Sequence, residues 1–135
     1  MKDETEGRMK DENEARITDL KLRTKQFGLR IIRLFSSLPQ TALAQTLGKQ
    51  VLRSGTSVGA HYREGVRSRS TAEFISKLEG GLQELEETAY WLELISEAEI
   101  FPAARLADLQ QEVDELLAIF TTCVKNAKQR RKDEG

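Results

Sequence analysis

Apolar residues recur every three to four positions along most of this sequence, and only two prolines, Pro39 and Pro102, interrupt it. That spacing places apolar side chains on one face of an α-helix, whereas a half-buried strand would need strict alternation. Aromatic residues make up only 6% of the chain, while the helix-favouring residues Leu, Ala, Glu, Lys and Arg are abundant. The sequence therefore predicts an all-α fold.

The first two helices are separated by Pro39. We expect the first over residues 15–37, because proline disfavours helical backbone in the residue before it. The second pattern starts near Leu43 and meets no proline before Glu64. It therefore enters the glycine- and serine-rich stretch RSGTSVGAHYREGVRSRS, which occupies residues 53–70.

The third and fourth helices follow a turn over residues 65–69. Ser70 and Glu73 fit a capping box, in which a serine hydroxyl and a glutamate carboxylate satisfy free amides at a helix start. The third helix then continues to about Ala98, and Pro102 suits the first turn of the fourth. Four amphipathic helices with short connections predict an antiparallel up-down-up-down four-helix bundle.

Both ends of the chain are charged and poor in apolar residues. Such segments bury too little apolar surface to offset the entropy that is lost when they become ordered. We therefore expect residues 1–14 to form a flexible charged arm, residues 15–128 the bundle, and residues 129–135 a solvated tail.

The cysteine content and the lack of long apolar runs bear on the cellular compartment. Cys123 is the only cysteine, so no disulfide can form within the chain. The sequence shows neither a signal peptide nor an apolar run approaching the ~20 residues that a membrane span needs. We expect a cytoplasmic protein.

The net charge of −1 conceals a strong segregation of charge along the chain. Residues 15–69 hold eleven basic and two acidic side chains, a charge of +9. Residues 70–120 hold two basic and twelve acidic side chains, a charge of −10. This asymmetry indicates either a basic surface for a polyanion or two parts of the protein that neutralise each other.

Glycines within residues 53–70 raise the question of a phosphate-binding loop. The stretch lacks the lysine and hydroxyl residue that follow the second glycine of such a loop, and it keeps helical phase. A glycine inside a helix costs about 1 kcal/mol relative to alanine, so a compensating close contact is expected. A hairpin of helices two and three centred near residue 68 would place Gly55 near Gly80 and Gly81. We predict these helix-packing residues: Gly55, Gly59, Gly80 and Gly81.

The arginines of the basic segment admit two interpretations. In the first, the hairpin register forms ion pairs between helices two and three: Arg63–Glu73, Arg53–Glu84 and Lys49–Glu87. In the second, arginines contact nucleic-acid phosphates, and those of helix one and the turn have no carboxylate opposite them in this register. The candidate nucleic-acid-binding residues are Arg30, Arg33, Arg53, Arg63, Arg67 and Arg69.

Residues that could carry catalysis or bind a metal are sparse. His61 is the only histidine, so a two-histidine metal site is impossible within one chain. Cys123 has no histidine near it in sequence, and a packing role suits it better than a nucleophilic one. The separation of Arg53 from His61 is longer than in the motif of RNA-cleaving HEPN bundles. We expect no catalytic residue, no metal and no cofactor, and hence no enzyme.

Residues 53–95 resemble the signature of a bacterial four-helix-bundle family, the 23S rRNA intervening-sequence proteins. With weaker patterns in helices one and four, the resemblance covers about residues 15–125. It rests on these positions: Arg53, Ser54, Ser57, Glu64, Gly65, the turn from Ser68 to Ser70, Glu73, Phe74, Glu84, Glu87 and Leu92.

The resemblance carries expectations about assembly and partners. Members of this family, and the similar accessory variability proteins of diversity-generating retroelements, are small bundles that form ring-like homopentamers. The retroelement proteins also bind nucleic acid and a reverse transcriptase. The resemblance therefore implies a homo-oligomer, specifically a pentamer, whose partner is RNA or a protein of the reverse-transcriptase type. It implies no catalytic activity.

These observations lead to two functional hypotheses. The first is a non-enzymatic, homo-oligomeric bundle that binds RNA or a nucleoprotein partner through its basic residues. The alternative is an oligomeric scaffold or protein-interaction module in which the +9 and −10 segments neutralise each other and no nucleic acid is bound.

Overall fold

The computed structural model describes residues 4–134. The chain forms four α-helices, namely α1 (Glu4–Ser37), α2 (Ala42–Val66), α3 (Thr71–Glu97) and α4 (Ala103–Glu134). Each helix packs against the next one in sequence, through the pairs α1 and α2, α2 and α3, and α3 and α4. The predicted all-α, antiparallel four-helix bundle is confirmed.

The bundle has two ends that differ in character. The connections that contain Pro39 and Pro102 lie at one end, here called the proline end. The α2–α3 turn lies at the other, here called the turn end. Thr71 Oγ1 donates a hydrogen bond to Glu134 Oε2 at 3.4 Å, so the last residues of α4 also lie at the turn end.

The first helix begins earlier than the sequence predicts. α1 starts at Glu4 and not at residue 15. Every described side chain among residues 7–16 is exposed, so burial does not support this part of the helix. Residues with high helix propensity, such as Glu, Lys, Arg and Met, favour it instead. The flexibility expected of residues 1–14 stays a prediction.

Side-chain caps fix where α2 and α3 begin. Ser70 Oγ accepts a hydrogen bond from the Glu73 N–H at 3.1 Å, which confirms the predicted cap. The Glu73 carboxylate accepts one from the Arg69 N–H at 3.1 Å, one residue before the position that a capping box uses. Thr41 Oγ1 caps α2 by accepting from the Ala44 N–H at 3.2 Å.

A left-handed residue ends α3 without a glycine. Glu99 has φ of 58°, the conformation that glycine usually supplies after a helix. The Ile100 N–H reaches the Ile95 carbonyl at 3.0 Å, and the Glu99 N–H reaches the Ser96 carbonyl at 3.1 Å. These two bonds are those of a Schellman motif, which turns the chain towards α4.

Each helix contributes one buried stripe to a single core. Near its centre the rings of Tyr62 on α2 and Phe120 on α4 lie 5.7 Å apart between centroids. The buried stripes follow the three-to-four spacing seen in the sequence. The largest fully buried side chains are Phe27, Ile31, Val51, Val58, Leu78, Leu85, Leu92, Ile95, Leu106, Val113, Leu116 and Phe120.

The glycines of α2 pack on α1 and not, as predicted, on the glycines of α3. A Cβ added to Gly55 would lie 2.6 Å from Ile31 Cγ1, far inside van der Waals contact. One added to Gly59 would lie 3.3 Å from Thr24 Oγ1. Both glycines therefore allow α1 to approach α2 closely, and the predicted contact of Gly55 with Gly80 and Gly81 is wrong.

The glycines of α3 accommodate larger residues from two other helices. A Cβ on Gly80 would lie 2.8 Å from Cε1 of His61, which belongs to α2. A Cβ on Gly81 would lie 2.7 Å from Cε2 of Phe120, which belongs to α4. Each close contact thus pairs a glycine with a bulky side chain.

A buried hydrogen bond sets the register between α2 and α3. Ser54 Oγ and Thr88 Oγ1 lie 2.7 Å apart, and both side chains are fully buried. A register centred on residue 68 would place Ser54 more than one helical turn away from Thr88. Buried hydroxyls need partners, so this pair favours the observed register over the predicted one.

A side-chain clamp joins the first and last helices. The Arg23 guanidinium donates to Glu112 Oε2 at 2.9 Å and Oε1 at 2.8 Å, and to Glu115 Oε1 at 3.3 Å. The hydrogen bond to Glu112 raises the pKa of Arg23 above its usual range. The side chain of Glu112 is only 14% exposed, so its pairing with Arg23 lies in a largely shielded position.

The first prediction concerns the close approach of α1 and α2. We expect Gly55→Val to lower the free energy of unfolding by about 1–3 kcal/mol, because the new methyl groups would force Ile31 off its packing. Urea denaturation followed by circular dichroism measures this. Gly7→Val is the matched control, since nothing lies within 4 Å of that Cβ position. Equal stability of the two variants would contradict the close packing.

The second prediction compares two arginine ion pairs. We expect Arg23→Met to cost about 1.5–3 kcal/mol of unfolding free energy, because it leaves the shielded Glu112 carboxylate unpaired. Arg53→Met breaks a pair in which the arginine is 51% exposed, and should cost about 0–1 kcal/mol. The same urea titrations test both. A larger loss for Arg53→Met would overturn the ranking.

Candidate nucleic-acid interface

The six predicted arginines do not form one surface. Arg30 and Arg33 lie on α1 towards the proline end, and Arg53 lies in the middle of α2. Arg63, in the last turn of α2, lies with Arg67 and Arg69 at the turn end. The structure therefore brings together three of the six and separates the others.

Arg53 already has carboxylate partners within the chain. Its guanidinium lies 3.3 Å from Glu84 Oε2 and 3.2 Å from Glu87 Oε1. The predicted pair with Glu84 is confirmed, and Glu87 takes the same arginine instead of Lys49. Arg53 therefore contributes little net positive charge to a nucleic-acid surface.

The predicted pair of Arg63 with Glu73 is absent from the described ion pairs. Glu73 is used as the cap of α3. The α2–α3 hairpin instead joins Glu64 Oε2 to Lys77 Nζ at 3.0 Å. This hydrogen bond from Lys77 lowers the pKa of the Glu64 carboxyl, with smaller contributions from the charges of Lys77, His61 and Arg67.

The last turns of α4 bring further cations to the turn end. The Arg130 guanidinium lies 6.0 Å from the centroid of the Phe74 ring, at the start of α3. Arg131 and Lys132 follow it, and their side chains are exposed. Sequence reasoning assigned this run to a solvated tail. The signal that could have found it was the basic run KQRRK combined with the antiparallel register of α3 and α4.

We call this surface the basic end. Its cations come from two elements that are distant in sequence, the end of α2 with its turn and the end of α4. All of them are exposed, and none takes part in an ion pair within 4.0 Å among the described residues. The basic end comprises Arg63, Arg67, Arg69, Arg130, Arg131 and Lys132.

The carboxylates near the basic end are held by groups of the protein itself. Glu64 pairs with Lys77, and Glu73 caps α3. Asp133 accepts a hydrogen bond from Gln129 at 3.1 Å, and Glu134 accepts one from Thr71. The six cations of the basic end outnumber these four carboxylates, and Asp11, Glu12 and Glu14 are exposed on the part of α1 nearest the same end of the bundle.

A shallow depression lies within the basic end, between the α2–α3 turn and the first turns of α3. Its volume is about 610 Å³, and Arg67, Ser68 and Arg69 form one side of it. The turn is held by Ser68 Oγ, which donates to the Gly65 carbonyl at 2.6 Å. The backbone that carries the two arginines is thus ordered by internal hydrogen bonds.

His61 and Cys123 could in principle carry chemistry, but they lie outside the basic end and are packed between helices. His61 lies against Gly80, and its Nδ1 is enclosed without a hydrogen-bond partner among the described residues. Burial raises the pKa of the Cys123 thiol, although the charges of Arg16 and Arg130 oppose this. The thiol is therefore a poor nucleophile at neutral pH. Within residues 4–134, no group of three His, Cys, Asp or Glu side chains could hold a metal ion.

None of the helices in the described part of the chain is both long enough and apolar enough to cross a bilayer.

Comparison with known proteins identifies the family. The family described as 23S rRNA-intervening sequence protein matches residues 18–122. A crystal structure at 1.70 Å of a protein of unknown function, from the S23 ribosomal protein family of Bacteroides thetaiotaomicron, is 33% identical in sequence. The similarity covers 81% of this chain and 97% of that one, with a TM-score of 0.76. Among curated proteins, none matches the chain. The chain belongs to the family of 23S rRNA-intervening sequence proteins.

Proposed function

We propose that this protein binds RNA at its basic end, as a homo-oligomer and without catalysing a reaction. One observation carries the proposal: six exposed cations from the end of α2, its turn and the end of α4 lie at one end of the bundle and have no ion-pair partner among the described residues. Surfaces of this kind bind nucleic acid by neutralising phosphates and releasing counterions.

The chemistry of the basic end suits phosphate better than base recognition. Five of its six cations are arginines, whose planar guanidinium groups donate two parallel hydrogen bonds to a phosphate. Phe74 is the nearby aromatic ring, and Arg130 lies over it, so it is not free to stack on a base. Binding is therefore expected to depend on RNA shape and phosphate position more than on sequence.

The family name supports RNA as the polyanion. The matching family is described by an intervening sequence of 23S rRNA, and the similar crystal structure belongs to an S23 ribosomal protein family. The first description names 23S rRNA, and the second names ribosomal proteins. A structured RNA is therefore the ligand that we assign to the basic end.

Oligomerisation follows from the resemblance and would strengthen binding. We propose a homo-oligomer, a pentamer, in which several basic ends act on one RNA. Linked sites raise the apparent affinity well above that of a single site when the geometry allows simultaneous contact. A partner of the reverse-transcriptase type remains a prediction of the resemblance to retroelement accessory proteins.

One observation favours the alternative of a scaffold that binds no nucleic acid. The ion pairs of Arg53 with Glu84 and Glu87 show that part of the +9 and −10 segments is neutralised within the hairpin. If the remaining cations meet carboxylates of another copy, the basic end would be an assembly surface. The RNA measurements below separate the two functions.

The third prediction concerns the turn arginines. We expect the double variant Arg67→Gln/Arg69→Gln to weaken binding of a fluorescein-labelled RNA hairpin, by a similar factor for hairpins of different sequence. The slope of log affinity against log salt should fall by about 1–2, as two phosphate contacts are lost. Fluorescence anisotropy at several salt concentrations measures both quantities.

The matched control for this variant is Lys49→Gln/Arg105→Gln. It removes the same charge from exposed residues outside the basic end. Its affinity and salt slope should stay close to those of the wild type. Equal weakening of both variants would indicate a response to net charge alone and contradict a defined site.

The fourth prediction tests whether α4 belongs to the same surface. We expect Arg130→Gln/Arg131→Gln to weaken RNA binding and lower the salt slope by an amount similar to that for the turn variant. The anisotropy assay is the same. Unchanged binding by this variant would exclude α4 from the interface, and no RNA binding by the wild type at low salt would favour the scaffold.

A further inference from the structure

The outer face of α1, turned away from the core, is both apolar and basic. Leu22, Leu29 and Ile32 are 52%, 41% and 44% exposed. Their spacing of three and seven residues places them on one stripe. Lys25 and Arg33, each four residues from Leu29, are exposed on the same side of the helix. Exposed apolar stripes of this kind are typical of contacts between proteins.

The outer face of α3 is aromatic and acidic. Tyr90 is 53% exposed, and its ring lies 5.3 Å from the Trp91 ring between centroids. A shallow depression of about 470 Å³ follows this face, with Glu86 at its edge. Glu93, one turn beyond Tyr90, is also exposed. Aromatic residues on an exposed helix face are frequent anchors of protein interfaces.

The two faces carry opposite charge. Residues 20–38 hold five basic and no acidic side chains, whereas residues 82–97 hold five acidic and no basic ones. Among the described residues, Arg23 of α1 pairs with α4, and Glu84 and Glu87 of α3 pair with Arg53. The charges that define the two faces, Lys25, Arg33, Glu86 and Glu93, are in none of these ion pairs. Apolar surface and charge therefore match between α1 and α3.

These matching faces cannot meet within one chain. α1 packs on α2, and α3 packs on α2 and α4, so α1 and α3 stand diagonally across the bundle. Their outer faces therefore lie on different sides of the bundle. Each face can find its complement only on another molecule.

We infer that the outer face of α1 in one copy docks on the outer face of α3 in the next copy. This inference rests on the proposed homo-oligomer and names the surfaces that hold it together. Leu22, Leu29 and Ile32 pack against the Tyr90 ring, while Lys25 and Arg33 face Glu86 and Glu93. The contact is heterologous, so repetition gives a closed ring when the rotation between copies permits it.

Charge excludes the symmetric alternatives. A twofold contact of α1 with α1 would bring Lys25 and Arg33 against their own copies. A contact of α3 with α3 would do the same for Glu86 and Glu93. Like charges placed together at an interface cost several kcal/mol, so the head-to-tail pairing is favoured.

Charge also distinguishes this contact from RNA binding. Phosphates would be repelled by the acidic face of α3. On α1 the cations Lys25 and Arg33 stand among Leu22, Leu29 and Ile32, whose exposed apolar side chains match a protein surface better than a phosphate backbone. RNA and a second copy thus use different surfaces, the basic end for one and the two outer faces for the other.

A charge-swap experiment tests the contact on the full chain. The variant Lys25→Glu/Arg33→Glu makes both outer faces acidic, and Glu86→Lys/Glu93→Lys makes both basic. Sedimentation velocity at several concentrations should show each variant associating at least about tenfold more weakly than the wild type. An equimolar mixture should recover association, because the α1 face of each variant has a charge opposite to that of the α3 face of the other. In a ring of five copies at least one contact joins two copies of the same variant, so recovery falls short of the wild type.

Two controls accompany the swap. Asp108→Lys/Asp114→Lys reverses the same charge on exposed residues of α4 and should leave association unchanged. Circular dichroism verifies that each variant is helical, so that rescue is measured on folded protein.

The outcomes separate this inference from the proposed function. A wild-type protein that is monomeric at all concentrations overturns both the homo-oligomer and the contact. An oligomer that survives both swaps, or a mixture of folded variants that does not associate, overturns the contact alone. The anisotropy assay with variants of the basic end tests the proposed RNA binding independently of either result.

Discussion

The close approach of α2 to its two neighbours is the constraint on which the rest of the bundle depends. Gly55 lets the Ile31 side chain lie against the α2 backbone, and the buried Ser54–Thr88 hydrogen bond fixes α3 on the adjacent side. Both contacts tolerate little displacement. A side chain on Gly55 would clash with Ile31, and a shift of α3 would break the Ser54–Thr88 bond and leave each hydroxyl only a carbonyl of its own helix. The register of α2 in turn determines which charges of the hairpin face one another.

The spacing of apolar residues and the residues that start or end helices predicted much of this fold. The two prolines, the apolar spacing and the Ser70 cap located four helices, because each is a local property of the chain. The predicted register of the α2–α3 hairpin was wrong. It rests on the midpoint of the turn, which does not reveal that Ser54 forms a hydrogen bond with Thr88. Nor did burial patterns predict the early start of α1, which propensity favours without any core contact. Glu99 shows the same limit, because a glutamate gives no sequence signal for a left-handed position.

The candidate site was predictable only in part, for a related reason. Arg67 and Arg69 belong to a local turn and were recognised from sequence. Arg130 and Arg131 join them only through the antiparallel packing of α4 beside α3, which requires the register to be known. Arg53 was assigned to both interpretations, and the structure gives it two carboxylates of α3. Charge segregation along the chain thus resolves into one arginine paired within the hairpin, a basic end and two outer faces of opposite sign.

The manner in which α1 is attached affects how the bundle opens. α2 and α3 each pack closely against two neighbours, whereas α1 packs closely against α2 and meets α4 through the Arg23 clamp. Elements with fewer buried contacts open locally at lower free energy than the rest of a domain. Backbone amides of α1 should therefore exchange with solvent deuterium before those of the α2–α3 hairpin. Added salt should widen that difference, because it weakens a clamp made of partly exposed charges more than it weakens apolar packing.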